Sequence, residues 1–170
     1  MLTGTRLATS GSARLVAAAL AVAVAWIHIQ DQGGFPGDKM PRYVGYGYYL
    51  LEGAALLVAV SLLALAPNKR AVSIVWASAV GVAAGPLLGY VLSRGAGLPD
   101  YTDDIGNWTE PLGMTSLAVE TALLALSVAA IVSVRRSRHA TTPVPDQNKW
   151  PRIQRAESST GHYSDRSLST

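Results

Sequence analysis

The segment Val44–Ala66, which reads VGYGYYLLEGAALLVAVSLLALA, decides the fold because Glu52 is its only charged residue. Three further apolar stretches accompany it in the chain of 170 residues: Leu15–Gln30, Ala71–Ser93 and Met114–Val134. A helix needs about 20 mainly apolar residues to cross a hydrocarbon core of about 30 Å. In lipid, a helix satisfies its own backbone hydrogen bonds, whereas an open strand does not. The sequence therefore predicts an all-α, polytopic membrane protein built as a four-helix bundle.

The charges beside the apolar stretches indicate how the chain is oriented. Lys and Arg concentrate at the cytoplasmic ends of membrane spans. Basic residues lie before the first stretch, between the second and third, and after the fourth: Arg6, Arg14, Lys69, Arg70, Arg135, Arg136 and Arg138. The other two loops, residues 31–43 and 94–113, are balanced or acidic. All basic clusters lie on one side only if the chain crosses four times, with both termini in the cytoplasm.

Composition divides the chain into three regions. Residues 1–14 form a short cytoplasmic N-terminal lead, and residues 15–134 form the transmembrane domain. Residues 135–170 are a basic cytoplasmic tail, rich in Ser, Thr, Arg and Pro, which we expect to be largely disordered. A cleaved signal peptide ending near Ala23–Ala25 is an alternative that would leave three spans. The end of the first stretch, Trp26–Gln30, is typical of an interfacial helix end and favours a retained anchor.

Several classes of function are excluded or made less favoured by composition. The chain has no cysteine, which excludes disulfides, thiolate metal sites and cysteine nucleophiles. Its net charge of +3 comes from clusters at the ends of spans, so it does not indicate a nucleic-acid partner. No P-loop, HExxH, nucleophile elbow or dinucleotide fingerprint occurs in the sequence. The lipid bilayer is thus the expected partner, and an enzyme is the less favoured class.

A row of glycines marks one face of the third span. Gly81, Gly85 and Gly89 recur at intervals of four residues, and Pro86 lies between them. Small residues at this spacing let a neighbouring helix backbone approach closely. Internal packing of the bundle is the favoured interpretation. A homo-oligomer formed through this face is the alternative.

Three ionisable residues lie inside predicted spans, where they are costly and usually face the bundle interior. From the rise of a helix, Glu52 lies about 12 Å and Glu120 about 9 Å inside the outer membrane boundary. His28 lies close to the outer end of the first span. Tyr49 is three residues from Glu52, and Arg94 at the outer end of the third span is the candidate counter-charge. These five residues form the candidate polar site.

Three interpretations of this site remain open. The first is a buried structural network in which Ser, Tyr or Arg side chains hydrogen-bond the carboxyl groups. The second is an outward-facing site for a small solute, a proton or an ion. The third is a metal or other cofactor site, because one imidazole and two carboxylates are able to bind a divalent cation. The spacing is not a local motif, so the identity of any metal or cofactor is unknown.

The loop after the third span is the second candidate region. It contains Asp104, Asn107, Trp108 and Glu110 between turn-forming residues, above the predicted level of the polar site. Loops of this kind frequently carry functional residues because the scaffold positions them. The loop is either an acidic connector with Trp108 at the interface, or a lid or partner-contacting cap that partly covers the site.

The segments Gly89–Pro99 and Asp104–Gly113, followed by Glu120, resemble small uncharacterised four-helix integral membrane proteins of actinobacteria. The resemblance covers about residues 15–134, and it implies a location in the bacterial plasma membrane without implying an activity. The sequence therefore favours a structural or accessory membrane protein with a buried polar network. The alternative is a transport or sensing module for a small solute, a proton or an ion. A membrane enzyme or redox subunit is a minor third option.

Overall fold

The fold was analysed in a computed structural model, which describes residues 7–8, 10–64 and 69–139. This part of the chain contains four long helices: α1 (Gly11–Asp31), α2 (Arg42–Ala64), α3 (Lys69–Arg94) and α4 (Pro111–His139). Leu98 and Tyr101 form an isolated bridge, and no strand occurs among the described residues. The predicted all-α fold is confirmed.

All four helices are long and apolar enough to cross a membrane. Their apolar segments are Gly11–Asp31, Arg42–Ala64, Arg70–Arg94 and Pro111–Arg136, which have 21, 23, 25 and 26 residues. This confirms the predicted membrane location and the predicted four spans. α4 continues past the predicted end of the fourth span, so Arg135 and Arg136 are still helical. α3 is one continuous helix that contains Pro86.

The core between the helices is made mostly of small side chains. α1 and α2 pack most closely, because α1 presents Ala17 and Ala21 while α2 presents Ala55 and Ala59, and all four are buried. Alanine lets two helix backbones approach, and close packing is the main force that holds helices together in lipid. Trp76 of α3 is the largest fully buried side chain of this core.

Polar contacts fasten the end of the bundle at which α1 and α3 begin. The Arg14 guanidinium donates through Nε to the Leu62 carbonyl at 2.5 Å, near the carboxyl end of α2. A cation there complements the helix dipole and one of the unpaired terminal carbonyls. Trp76 Nε1 donates to the Ala8 carbonyl at 3.2 Å, which ties the residues preceding α1 to α3.

The opposite end of the bundle, called here the loop end, carries loops 32–41 and 95–110. Loop 95–110 folds back on α3, because the Gly106 amide donates to the Arg94 carbonyl at 2.9 Å. Gly97 and Gly106 both have left-handed φ values, of 80° and 79°. A Cβ at Gly97 would lie 2.9 Å from Ile105 Cδ1, so this turn requires glycine.

Some predictions concern residues outside this description. The N-terminal lead up to Arg6 and the tail after His139 are among them. The predicted disorder of the tail, the cytoplasmic location of both termini and the choice between signal peptide and anchor all stay predictions.

Candidate functional site

A cavity of about 490 Å³ lies in the loop-end half of the bundle. All four helices and loop 95–110 line it. The polar side chains on its wall include His28, Tyr48, Arg94, Ser116 and Glu120, and the remainder of the wall is mainly apolar. A mainly apolar pocket of this size with a few convergent polar groups is the usual form of a small-molecule site.

The innermost polar group of the cavity is the pair formed by His28 of α1 and Glu120 of α4. His28 Nε2 lies 3.7 Å from Glu120 Oε1. The Ser116 hydroxyl, one helical turn before Glu120, donates to the same oxygen at 2.5 Å. Both members of the pair are buried, and Glu120 is only 1% exposed. The predicted convergence of His28 and Glu120 is therefore found.

A hydrogen bond to the backbone determines which ring nitrogen of His28 carries a hydrogen. His28 Nδ1 lies 2.9 Å from the Val24 carbonyl, which only accepts hydrogen bonds, so Nδ1 carries a hydrogen. In a neutral imidazole, Nε2 then has a lone pair that faces the Glu120 carboxyl group. A proton on either Nε2 or the carboxyl group removes the repulsion between these two acceptors. The pair is therefore able to hold one proton that faces the cavity.

Tyr48 adds an aromatic wall beside this pair. Its ring centroid lies 5.3 Å from that of His28, and its hydroxyl donates to Asp31 Oδ2. Lys39 pairs with Asp31 Oδ1 at 3.2 Å and lies 5.6 Å from the Tyr48 ring. Sequence reasoning missed Tyr48 and Asp31. The signal for Tyr48 was its spacing from Val44 and Leu51, which places all three on one face of α2.

Glu52 lies apart from the cavity, on the face of α2 that meets the end of α1. Gln32 Nε2 donates to Glu52 Oε1 at 2.7 Å, and both side chains are buried. Gln32 Oε1 is buried without a hydrogen-bond partner. Gly37 covers this pair closely, since a Cβ there would lie 2.5 Å from Gln32 Cγ. Glu52 therefore belongs to a closed polar pair, and this separates it from the predicted site.

Tyr49 is also outside the cavity. Its hydroxyl donates to the Gly37 carbonyl at 2.9 Å, and its ring meets Phe35 edge-on with centroids 6.0 Å apart. Tyr49 thus fastens loop 32–41 to α2, and its hydroxyl has a different partner from the Glu52 carboxyl group, which accepts from Gln32. Tyr49 is therefore not part of the polar site, contrary to the prediction. It directly follows Tyr48, and adjacent residues of a helix point to different faces, so only Tyr48 lines the cavity.

Arg94 has different partners from those predicted. Its guanidinium donates to Glu110 Oε2 at 2.7 Å and to the Asn107 carbonyl at 2.8 Å, and it lies 3.8 Å from Asp104 Oδ2. It also lies 3.9 Å from the centroid of the Tyr90 ring. Arg94 is therefore the counter-charge of the loop carboxylates and not of Glu52 or Glu120.

Loop 95–110 forms a fastened lid over the loop end of the cavity. Tyr90 of α3 donates to the Trp108 carbonyl at 2.7 Å, and Tyr43 of α2 donates to the Pro99 carbonyl at 2.6 Å. Tyr101 faces the cavity and donates to Asp104 Oδ2 at 2.7 Å. Burial and this hydrogen bond raise the pKa of the Tyr101 phenol well above its ordinary value. The lid interpretation of the loop thus describes its contacts better than the connector interpretation does.

The glycine row of α3 faces the cavity. A Cβ added to Gly81, Gly85 or Gly89 would meet no other heavy atom within 4 Å, apart from its own helix and neighbours. No backbone of another described helix therefore packs closely on these glycines. Internal packing does not describe them, and the homo-oligomer alternative stays a prediction.

The chain matches no family model, no curated protein and no solved structure.

The arrangement supports hydrogen bonding and proton exchange more than metal binding. Among the described residues, no group of three His, Asp or Glu side chains is arranged to hold a metal ion. His28 and Glu120 supply two ligand atoms, and the third predicted ligand, Glu52, is engaged with Gln32. The site thus has a proton-holding pair at one wall and an apolar space in front of it.

Proposed function

We propose that this chain is a membrane module that binds a small molecule in the cavity of its loop-end half, for transport or sensing. The observation that carries the proposal is the position of the His28–Glu120 pair. The pair lines an open cavity instead of being enclosed by packed side chains. A group that only stabilised the bundle would have no need of that space.

The Gln32–Glu52 pair provides a comparison within the same molecule. It has the form of a structural network, because loop 32–41 covers it and it does not line the cavity. An ionisable side chain in the middle of a span costs about 2.5–3.5 kcal/mol on insertion scales. The His28–Glu120 pair is a second set of ionisable side chains within the spans, and it lies beside an open cavity. A ligand in that cavity explains this position better than packing does. A purely structural or accessory role is the competing proposal.

The location that we propose is the bacterial plasma membrane, with both termini in the cytoplasm and the cavity in the outer half. The sequence resemblance to small actinobacterial membrane proteins supports the location, and the distribution of Lys and Arg supports the orientation. The charges at the loop end support it as well. Among the described residues, that end carries three cations, Lys39, Arg42 and Arg94, against six carboxylates: Asp31, Asp38, Asp100, Asp103, Asp104 and Glu110. Lys39 is paired with Asp31 and Arg94 with Glu110, so the loop end is acidic overall.

Native mass spectrometry of the full chain tests the proposed function. Protein extracted in mild detergent from the membranes of its source cell is expected to carry a small-molecule adduct. Gly85→Leu projects a side chain into the cavity and should remove the adduct, because a Cβ there meets only open space. Gly53→Leu is the matched control, since Gly53 is exposed on α2, also has open space, and does not line the cavity.

Two outcomes would contradict the proposal. If the wild-type chain has only its own mass, the polar pair is a structural network. If Gly53→Leu removes an adduct as completely as Gly85→Leu does, the adduct is annular lipid and not a cavity ligand. Thermal unfolding of both variants shows whether each retains the wild-type fold.

A further inference from the structure

The cavity has a side opening between α2 and α3. Five of its lining residues remain exposed. Tyr43 lies at the loop end, and the other four lie deeper, two on each helix: Gly47 and Leu50 on α2, and Gly81 and Gly85 on α3. Leu50 is 76% exposed. The missing side chains of the three glycines widen the gap between the helices. This opening, called here the side window, is the only exposed part of the wall that lies deep in the spans among the described residues.

The side window lies at the depth of the hydrocarbon. With a rise of about 1.5 Å per residue, Gly85 is about 13 Å and Gly81 about 20 Å from the end of α3 at Arg94. The loop end is roofed by the lid, which Arg94 fastens at α3 and Tyr43 fastens at α2. A molecule that enters through the side window therefore comes from the lipid phase and must have an apolar body.

The polar side chains on the cavity wall determine which polar end group of that molecule is able to bind. His28 Nε2 and Glu120 Oε1 are 3.7 Å apart, which is too far for a direct hydrogen bond. With one proton on either group, the pair presents one donor and one acceptor across this gap. A hydroxyl group both donates and accepts, and its single oxygen reaches both atoms from the cavity side.

Charged heads fit this wall poorly. A carboxylate would face Glu120 and Asp31, and the one cation on the cavity wall among the described residues, Arg94, is already paired with Glu110. An ammonium group would have to cross the hydrocarbon to reach the side window, at a high cost in free energy. A neutral head avoids both penalties.

We infer that the cavity takes a lipid-soluble alcohol or phenol, which enters from the hydrocarbon between α2 and α3 and hydrogen-bonds through its hydroxyl group to His28 and Glu120. The inference rests on the proposed function and adds the class of ligand and its route.

Photolabelling of the full-length protein in phosphatidylcholine vesicles tests it. The probe is a long-chain primary alcohol with a diazirine in its chain, and peptide mass spectrometry locates the adducts. Adducts are expected on Leu50 and on α3 near Gly85. Unlabelled alcohol should compete with the probe at a concentration about tenfold lower than the matched alkane needs, because one or two hydrogen bonds supply an affinity ratio of that size, and the matched carboxylate should compete no better than the alkane.

Two variants sharpen the result. His28→Phe keeps a ring of similar size but removes the hydrogen-bonding nitrogens, so the alcohol and the alkane should then compete equally. Gly85→Leu should abolish labelling at the side window, and Gly53→Leu should leave it unchanged. If the alcohol still competes better than the alkane in His28→Phe, the assignment of the hydroxyl group to His28 and Glu120 is overturned.

Other outcomes overturn the inference in distinguishable ways. Labelling spread evenly over all exposed helix surfaces would show that no site exists for the alcohol. Quantitative disulfide dimers of Gly85→Cys, with labelling of the parent chain absent, would show that a second copy covers the side window. A water-soluble adduct in the native mass spectrum would overturn the lipid route and leave the proposed function standing. A bare chain in that spectrum would instead contradict the proposed function itself.

Discussion

At the scale of single residues, Glu52 and Glu120 are buried carboxyl groups with opposite surroundings. Glu120 faces the cavity, whereas Glu52 is enclosed with Gln32 beneath Gly37. The Gln32 amide is only half satisfied, because its Nε2 donates to Glu52 and its Oε1 has no partner. A buried polar atom without a partner costs about 1–3 kcal/mol. A substitution that changes one atom of this pair should therefore change the free energy of unfolding in a predictable direction.

Glu52→Gln is expected to leave the free energy of unfolding unchanged or to raise it. The new amide keeps an oxygen that accepts from Gln32 Nε2 and adds an NH₂ group that is able to donate to Gln32 Oε1. Glu52→Leu leaves both polar atoms of Gln32 unpaired and should lower the free energy of unfolding by about 1–3 kcal/mol. Chemical unfolding in detergent micelles measures both. An equal loss in the two variants would mean that the carboxylate charge itself is required.

At the scale of elements, the membrane spans were predictable from the sequence, whereas the side of α2 that faces the cavity was not. Length and hydropathy alone define a membrane helix, because the bilayer has a fixed thickness. Tyr48 and Tyr49 are equally aromatic neighbours, yet only Tyr48 lines the cavity. Their facing depends on how α2 rotates against α1, which the packing of Ala55 and Ala59 determines. The spacing of Tyr48 from Val44 and Leu51 assigns these residues to one face of α2, but it does not say which face turns toward the cavity.

The partners of Arg94 were unpredictable for a related reason. Depth along the helices suggested Glu52 or Glu120 as its partner, because all three residues belong to the outer half of the predicted spans. The actual partners, Asp104 and Glu110, reach Arg94 because loop 95–110 folds back through its turn at Gly106. Contacts of this kind depend on the path of a loop, which helix periodicity does not contain.

Arg94→Lys is expected to loosen the lid while leaving the spans folded. Lysine lacks the planar fork that reaches Glu110 and the Asn107 carbonyl together, so about 1–3 kcal/mol of local stability should be lost. Hydrogen exchange reports this at the Gly106 amide, which donates to the Arg94 carbonyl. Arg42→Lys makes the same chemical change at an exposed helix start and should leave that amide protected. Equal protection in both variants would show that the guanidinium does not hold the lid.

At the scale of the whole molecule, the orientation in the membrane decides what reaches the lid. The chain has no cysteine, so a single introduced thiol reports on one position without interference. Thr109 is exposed in the loop that forms the lid, and Ser158 belongs to the C-terminal tail of the sequence. With Lys and Arg concentrated beside the termini, we expect the lid outside and the tail inside.

Thiol labelling in intact cells tests this orientation directly. A membrane-impermeant maleimide should modify Thr109→Cys in intact cells and should modify Ser158→Cys only after the membrane is permeabilised. The opposite pattern would place the cavity in the cytoplasmic half and overturn the charge argument. Modification of both positions in intact cells would indicate an odd number of crossings or two populations of opposite orientation. Because the side window lies within the spans, the proposed lipid route does not depend on this outcome, whereas the side of the membrane from which the lid is accessible does.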